Sequence, residues 1–209
     1  DPDYVASSVN VDGVTLRLIH QPGPDLDSNW SALATYASKA MAFINEDIAP
    51  YAYPEYTVIQ GGDGGMEYPM ITLITGERSL RSLVGVTVHE MAHSWFQAMV
   101  ATNESLYEWM DEGFTSWAES RCMANLFADP MKPEENPHQW AYSSYINHHL
   151  SGNEEPLITH ADHYKTNRAY GVAAYSKGEV LVEQLGAIVG DDVRDEGMRA
   201  YVKEWSFKH

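Results

Sequence analysis

The strongest constraint on this chain is the segment His89-Glu-Met-Ala-His93, which is followed by Glu112 in the segment Trp109-Met-Asp-Glu-Gly-Phe. On an α-helix, residues four positions apart lie on one face, so the two histidines can direct their nitrogens at one point. Glu112, on a second predicted helix, offers a carboxylate as a third ligand. Two histidines, one carboxylate and an open fourth position describe a catalytic zinc site, because structural zinc sites are closed by four protein ligands. Glu90 is placed beside that site to take a proton from a water molecule.

The same spacing also occurs where two histidines are ordinary polar residues on a helix surface. Here the flanking segments 83–88 and 94–96 are largely apolar, which predicts a buried helix. A buried cluster of two imidazoles and a carboxylate is costly unless something compensates it, and a metal ion does so. The sequence therefore predicts one zinc ion per chain, bound by His89, His93 and Glu112.

The composition of the chain argues against several functional classes. The formal net charge of −17 argues against nucleic acid as a partner, because nucleic-acid binding requires Lys and Arg on the phosphates. No apolar run reaches the roughly 18 residues of a membrane span. No basic segment followed by an apolar stretch opens the chain, so no signal peptide is expected. Cys122 is the only cysteine, which excludes a disulfide within the chain.

Strand-like segments come first and helix-like segments later, which predicts an α+β fold rather than an alternating parallel sheet. We expect one domain over residues 1–209, β-rich over about 1–76 and helical over about 77–209. In the β-rich part the sequence predicts strands at 14–19 and 56–59, a helix from Ser28 or Asn29 to about residue 48, and one strand over 66–75 with Pro69 at an edge or bulge. In the helical part it predicts helices at about 80–100, 112–126 with Asp111 as cap, 138–149, 170–189 and 192–207, with Gly190 between the last two.

Four motifs occur in the order and rough spacing found in the gluzincin aminopeptidases, the family that includes aminopeptidase N and leukotriene hydrolase. They are Gly65-Met-Glu-Tyr, His89-Glu-Met-Ala-His-Ser-Trp-Phe, Trp109-Met-Asp-Glu-Gly-Phe and Tyr175-Ser-Lys-Gly. The chain resembles this family over essentially its whole length. The resemblance implies a thermolysin-like catalytic domain, in which a small N-terminal mixed β-sheet precedes a mainly α-helical half. It also implies a zinc aminopeptidase that cleaves the first bond of peptides with a free amino terminus.

The resemblance assigns chemical roles to the motif residues. His89, His93 and Glu112 would bind the zinc ion. Glu90 would act as general base toward the attacking water and then as acid toward the leaving amine. Tyr175 would donate its hydroxyl to the oxyanion of the tetrahedral intermediate.

The resemblance also implies how a substrate is held. Glu67 would bind the protonated α-amino group, so that only the first peptide bond reaches the metal. Gly64, Gly65 and Met66 would belong to an edge strand whose backbone approaches and pairs with the peptide main chain. Glu119, two helical turns beyond the third ligand, would orient a ligand imidazole.

Several of these assignments have a competing interpretation. Glu67 also fits a solvated charge at a strand edge, and Glu119 fits an ordinary helix surface. Tyr170 lies in the same stretch as Tyr175 and competes with it for the oxyanion role. A second group of histidines is interpreted as polar residues of loops and helix ends rather than as a second metal site: His148, His149, His160 and His163.

The chain departs from the family pattern at Tyr68 and Asp111, where Asn is common, and at Gln97, where Gly is common. These departures leave the metal ligands intact and bear on substrate preference. The β domain that normally precedes such a domain, and the helical domain that normally follows it, are expected to be missing here. Family habit and the acidic composition favour the periplasm or cell envelope of a bacterium.

Two other functional classes remain open at this point. A thermolysin-like zinc endopeptidase would cut amine-blocked peptides internally. A peptide-binding module, or an inactive fragment of a larger multidomain peptidase, would take up zinc and peptide without releasing amino acids. The intact Glu90 argues against the latter, because binding alone has no need of a base at that position.

Overall fold

The computed structural model describes residues 3–131 and 136–208. The chain divides into two compact units, Asp1–Ser94 and Trp95–His209. The helix that carries the two histidines therefore belongs with the sheet, although composition alone places the change from β-rich to helical sequence near residue 76. Among the described residues, no helix combines the length and apolar character that crossing a membrane requires.

The N-terminal unit is built on a five-stranded mixed sheet. Its strands are β1 Val5–Val11, β2 Val14–His20, β3 Glu55–Gln60, β4 Gly65–Tyr68 and β5 Ile71–Ile74, in the spatial order β1-β2-β3-β5-β4. The central strands β2, β3 and β5 are parallel, whereas β1 and β4 pair antiparallel at the two edges. The strands predicted at 14–19 and 56–59 are confirmed.

Helices α1 (Pro24–Asp47) and α2 (Leu80–His93) pack on the sheet and on each other. Alternation along β2 turns Leu16 and Leu18 toward them, and both side chains are almost fully buried. Tyr56 and Val58 pair with these two residues across to β3 and share the same face. Helix α2 lies against β4 and β5, so the histidine-bearing helix covers one edge of the sheet.

Two features at the start of the chain differ from expectation. The sequence does not predict β1, because six of its seven residues are exposed and it carries no buried alternation. It ends in an Asp12-Gly13 turn with positive φ at both residues, which is typical of a two-residue hairpin. Helix α1 begins at Pro24, since proline lacks only the N–H that a first helical turn leaves unpaired. Ser28 and Asn29 therefore lie inside the helix, and the prediction that either one caps it is wrong.

The single strand predicted over 66–75 is also wrong, because a hairpin of β4 and β5 stands in its place. Tyr68 pairs with Ile71 across the turn formed by Pro69 and Met70. Met70 has φ 65°, the positive value that a type II turn, often with proline at its second position, requires at its third. Pro69 thus reverses the chain instead of marking a bulge within one strand.

Beyond α2, the regular secondary structure of the described residues is entirely helical. In order come a π-helical segment Ser94–Met99, α3 Trp109–Leu126, α4 Gln139–Leu150, a short 3-10 turn Ala161–His163, α5 Asn167–Gly171, a second π-helical segment Val172–Lys177, α6 Gly178–Val189 and α7 Asp191–Trp205. Asp111 does not cap α3, because that helix begins two residues earlier and Asp111 is buried in its first turn. Gly190, with φ 96°, separates α6 from α7 as expected. The α+β fold class is confirmed.

Candidate active site

Helix α2 brings His89 and His93 together on one face. Their Nε2 atoms lie 3.2 Å apart, and His93 is buried while His89 is half-buried. Zinc–nitrogen distances of about 2.0–2.1 Å in tetrahedral geometry separate two nitrogen ligands by about 3.3 Å. The two imidazoles therefore fit two ligands of one zinc ion, and their assignment as ligands stays a prediction.

Glu90 packs against the backbone of the edge strand β4. A Cβ atom placed on Gly65 would overlap Oε1 of Glu90 and would lie 2.9 Å from Cγ2 of Val86. Only glycine allows helix α2 to approach the strand this closely. Gly65 therefore makes room for the predicted general base, in addition to any contact with substrate. The neighbouring Gly64 carbonyl accepts a hydrogen bond from Nη2 of Arg78 at 2.8 Å.

The register of the sheet turns Glu67 toward the helices. Glu67 pairs with Thr72 on β5, and Thr72 pairs with Val58 on β3. Paired residues on neighbouring strands point to the same face, and the fully buried Val58 and Thr72 show that this is the covered face. Glu67 is half-buried on the side on which Glu90 packs against Gly65. This orientation favours a binding role over a solvated charge on the outer face.

In the C-terminal unit, Tyr175 contacts the predicted third ligand. Its hydroxyl donates a hydrogen bond to Oε1 of Glu112 at 2.6 Å. Tyr170 makes no such hydrogen bond with Glu112 among the described residues; burial, followed by the negative charges of Glu108 and Glu112, raises the pKa of its hydroxyl to about 12. Of the two candidate tyrosines, Tyr175 is therefore the one joined to Glu112.

The hydrogen bond between Tyr175 and Glu112 depends on the close approach of two helical segments. A Cβ atom on Gly113 would lie 2.6 Å from Cα of Gly178 and 3.1 Å from the carbonyl oxygen of Ala174. One on Gly178 would lie 2.8 Å from Cα of Gly113. The two backbones touch, so the glycines of the two motifs let α3, with Glu112, lie directly on the segment that carries Tyr175.

Lys177, two residues after Tyr175, ties that segment to the loop before α5. Its Nζ lies 2.6 Å from Oε1 of Glu154 and donates to the carbonyl of Glu155 at 3.0 Å. Tyr145 donates to the same carboxylate at 2.9 Å, and His149 pairs with its other oxygen. The hydrogen bond from Lys177, followed by that from His149, lowers the pKa of Glu154 to about 2.

Replacement of Lys177 by methionine is expected to move the pKa of Glu154 back toward its ordinary value of 4.5. A carboxyl whose pKa is lowered by folding contributes stability above its unfolded pKa, and that contribution is lost as the pH falls toward the folded value. The unfolding free energy of the wild type should therefore fall more steeply than that of Lys177→Met between pH 5 and pH 3. Urea unfolding at both pH values measures the difference. Lys208→Met, which removes an exposed pair with Glu204, is the matched control, and equal slopes in wild type and Lys177→Met would contradict the assignment.

For the remaining predicted residues, the described part of the structure shows no contact that assigns them a role in the site. Glu119 is half-buried on α3, and its orienting role stays a prediction. His149 pairs with Glu154, and the His160 side chain accepts a hydrogen bond from the backbone N–H of Asp162. Among the residues that the structure describes, no cluster of three ligating side chains includes any member of the second histidine group: His148, His149, His160 and His163.

Sequence reasoning misses two contributors to this region. Gly178 ends the Tyr-Ser-Lys-Gly motif, but its contact with Gly113 joins residues far apart in sequence, and no local pattern reveals it. Tyr56 is buried on β3, and this burial, followed by the negative charge of Glu90, raises the pKa of its hydroxyl well above the ordinary value. Its only sequence signal is a place in a β-rich run, which predicts burial and nothing about its hydroxyl.

Comparison with known proteins identifies the family of this chain. The model of the Peptidase family M1 domain matches residues 34–209. Mouse aminopeptidase B is 34% identical over 158 residues, covering 69% of this chain and 23% of that protein. Aminopeptidase M1 of Arabidopsis thaliana is 27% identical over 225 residues, covering 99% of this chain and 25% of that protein. The chain thus spans about a quarter of the length of these curated relatives.

Solved structures show the same fold. An M1 zinc metallopeptidase from Deinococcus radiodurans superposes with a TM-score of 0.71 at 20% identity, covering 97% of this chain and 44% of that one. Yeast LTA4 hydrolase in complex with bestatin superposes with a TM-score of 0.71 at 21% identity, covering 96% of this chain and 33% of that one. Because the family model covers most of the chain, the resemblance drawn from the four motifs is confirmed: the chain belongs to peptidase family M1.

Proposed function

We propose that this chain is the catalytic part of a zinc-dependent aminopeptidase. The observation that carries the proposal is the pair of imidazole nitrogens 3.2 Å apart on α2, in a member of a peptidase family. Relatives named aminopeptidase B and leucine aminopeptidase, and a solved relative named as a zinc metallopeptidase, support the activity and the metal.

His89, His93 and Glu112 form the proposed ligand set. Each offers one ligand atom of a type that zinc accepts, a ring nitrogen or a carboxylate oxygen. Three protein ligands leave a position for water or substrate, as catalysis requires. A bound zinc ion would activate a water molecule and polarise the scissile carbonyl group.

Three side chains perform the remaining steps in this proposal. Glu90 accepts a proton from the attacking water and returns it to the leaving amine. Tyr175 donates its hydroxyl to the developing oxyanion, where a donor is worth most because it interacts more strongly with the transition state than with the substrate. Glu67 binds the ammonium group of the substrate by a charge-assisted hydrogen bond. Because that group exists only at the free amino terminus, the ion pair makes the first peptide bond the one that is cut.

The test compares free-amine and amine-blocked substrates. Replacement of Glu67 by alanine is expected to lower kcat/KM for leucine p-nitroanilide about 100-fold, since a hydrogen bond between charged groups is lost. Hydrolysis of an acetylated analogue should stay at its low wild-type level. The zinc content, measured by mass spectrometry, should remain one ion per chain in both proteins. Glu77→Ala, which removes an exposed carboxylate close by in sequence, is the matched control.

The outcomes separate the functional classes. If Glu67→Ala affected free and blocked substrates equally, the exopeptidase assignment would be wrong. Internal cleavage of blocked peptides would favour a thermolysin-like endopeptidase. One bound zinc ion and peptide binding without any release of amino acids would favour a peptide-binding module or an inactive piece of a longer enzyme.

A further inference from the structure

Tyr175 lies in the π-helical segment Val172–Lys177, which interrupts a continuous helical run between α5 and α6. π-Helical turns are rare and occur frequently at functional sites. Successive residues of a helix are turned by about 100°, so a slip of one residue in this segment would turn Tyr175 by about that angle. The Tyr175 side chain is 39% exposed, so packing around its ring does little to fix it. The direction of its hydroxyl therefore depends on the backbone of the segment.

Helix α4 and the loop that follows it hold one side of this segment. Ser176 donates a hydrogen bond to Oγ of Ser144 at 3.0 Å. Lys177, the last residue of the segment, places its ammonium group 2.6 Å from Oε1 of Glu154 and 3.0 Å from the carbonyl oxygen of Glu155. The side chains of Lys177 and Glu154 are 19% and 25% exposed, so water and salt screen this pair less than they screen an ion pair on an open surface.

The carboxylate of Glu154 contacts three side chains at once. Lys177 and the hydroxyl of Tyr145, at 2.9 Å, share Oε1, and Nδ1 of His149 pairs with Oε2. Tyr145 and His149 both belong to α4, so Glu154 joins the π-helical segment to that helix. The hydrogen bonds from Lys177 and His149 hold the pKa of Glu154 at about 2, and the carboxylate therefore stays charged at neutral pH. Several hydrogen bonds to charged groups fix this carboxylate in one position, and with it the lysine that ends the segment.

We propose that Glu154 is a positioning residue for Tyr175: by holding Lys177 against α4, its carboxylate keeps the π-helical segment in the register that places the Tyr175 hydroxyl 2.6 Å from Glu112. The inference rests on the proposed aminopeptidase function and extends it to a residue outside the four motifs. Glu154 touches neither the substrate nor the reacting atoms in this proposal. Because the Tyr175 hydroxyl interacts with the transition state, its displacement lowers kcat and leaves KM almost unchanged.

Replacement of Glu154 by glutamine tests this role, because the amide keeps the shape of the side chain and removes its charge. We expect kcat for leucine p-nitroanilide to fall about tenfold, less than the roughly 100-fold cost of a 1 Å displacement, since the contact of Gly113 with Gly178 still holds the other side of the segment. KM should change less than about twofold, and the zinc content should stay at one ion per chain. A purely stabilising Glu154 would give a lower midpoint of thermal unfolding and an unaltered kcat of the folded protein. Glu204→Gln, which removes the exposed carboxylate of another lysine pair, is the matched control and should leave kcat unaltered.

Two double-mutant cycles identify the residues through which Glu154 acts. Lys177→Met should lower kcat as much as Glu154→Gln does, and the two changes together should lower it no further. In a Tyr175→Phe background, Glu154→Gln should change kcat less than about twofold. If Glu154→Gln did not fold, Lys177→Met in the same two tyrosine backgrounds would make the same test, because it removes the ion pair from the other side.

The outcomes distinguish this inference from the proposed function. An unaltered kcat in Glu154→Gln and Lys177→Met, or an equal loss of kcat with and without the Tyr175 hydroxyl, would overturn this inference alone. Absence of any turnover by the wild type would overturn the proposed function itself, and this inference with it.

Discussion

Replacement of Glu90 by glutamine is expected to lower kcat about 10³-fold, in the range that a positioned general acid–base group contributes. Glutamine keeps the shape of the side chain, so it should still pack against Gly65. It has no carboxylate to accept a proton from the attacking water. Zinc content and the affinity for a free-amine peptide should remain close to those of the wild type, because neither depends on the proton acceptor. Steady-state kinetics on leucine p-nitroanilide, with zinc measured on the same samples, check this expectation.

Two further measurements show whether a lower kcat in Glu90→Gln reflects the loss of the general base. Glu46→Gln, the same change on the exposed side of α1, should leave kcat unaltered and so controls for a general effect of net charge. If Glu90→Gln lost zinc together with activity, the residue would support the metal site and would not be the base. If it kept more than about a tenth of the wild-type kcat, another group would have to accept the proton.

The sequence predicts those parts of the site that follow from local periodicity. The spacing of His89 and His93 fixes their common face, because a helix repeats every 3.6 residues and both lie in the uninterrupted helix α2. The strand at 14–19 is equally local, since its apolar residues alternate and one face is buried. In both cases burial and periodicity act in the same direction, so single-sequence reasoning is sufficient.

Other features of the structure are not predicted from the sequence, because each depends on a contact between residues that are far apart in the chain. Strand β1 has almost no buried side chain and is held by pairing with β2, which no pattern within it reveals. Met70 adopts a positive φ because β4 must fold back onto β5, although nothing in a methionine favours that conformation. The packing of a helix carboxylate on Gly65 is likewise a contact between residues distant in sequence, while the substrate contact assigned to Gly65 stays a prediction.

The predicted capping residues of two helices, α1 and α3, are wrong because each helix begins earlier than its best capping side chain. Ser28 and Asn29 are good capping residues, but Pro24 occupies the first turn of α1 and places them one turn inside. Asp111 likewise has a capping side chain and yet is buried within the first turn of α3. A helix begins where the surrounding packing allows it, so caps predict that a helix starts nearby more reliably than they predict its first residue.

The second large effect is expected at the helix crossing of the C-terminal unit. Replacement of Gly113 by alanine should lower the free energy of unfolding by about 3 kcal/mol, as for overpacking of a close-packed interior. The new methyl group would lie 2.6 Å from Cα of Gly178, a backbone atom that cannot move aside as a flexible side chain would. The helices must separate instead. That separation would draw Glu112 away from Tyr175, whose hydroxyl now lies 2.6 Å from the carboxylate.

The kcat of Gly113→Ala should therefore fall together with its free energy of unfolding. A displacement of about 1 Å at a reacting group costs on the order of 10²-fold in rate, so kcat of folded Gly113→Ala should fall about 100-fold. Gly197→Ala is the matched control: that glycine lies in α7 with nothing within 4 Å of an added Cβ, so alanine should raise stability by about 0.5–1 kcal/mol and leave kcat unaltered. Urea unfolding and steady-state kinetics on the three proteins separate the effects. If Gly113→Ala were as stable and active as Gly197→Ala, the backbones of α3 and α6 could not be in contact at this point, and the position of Tyr175 would need another explanation.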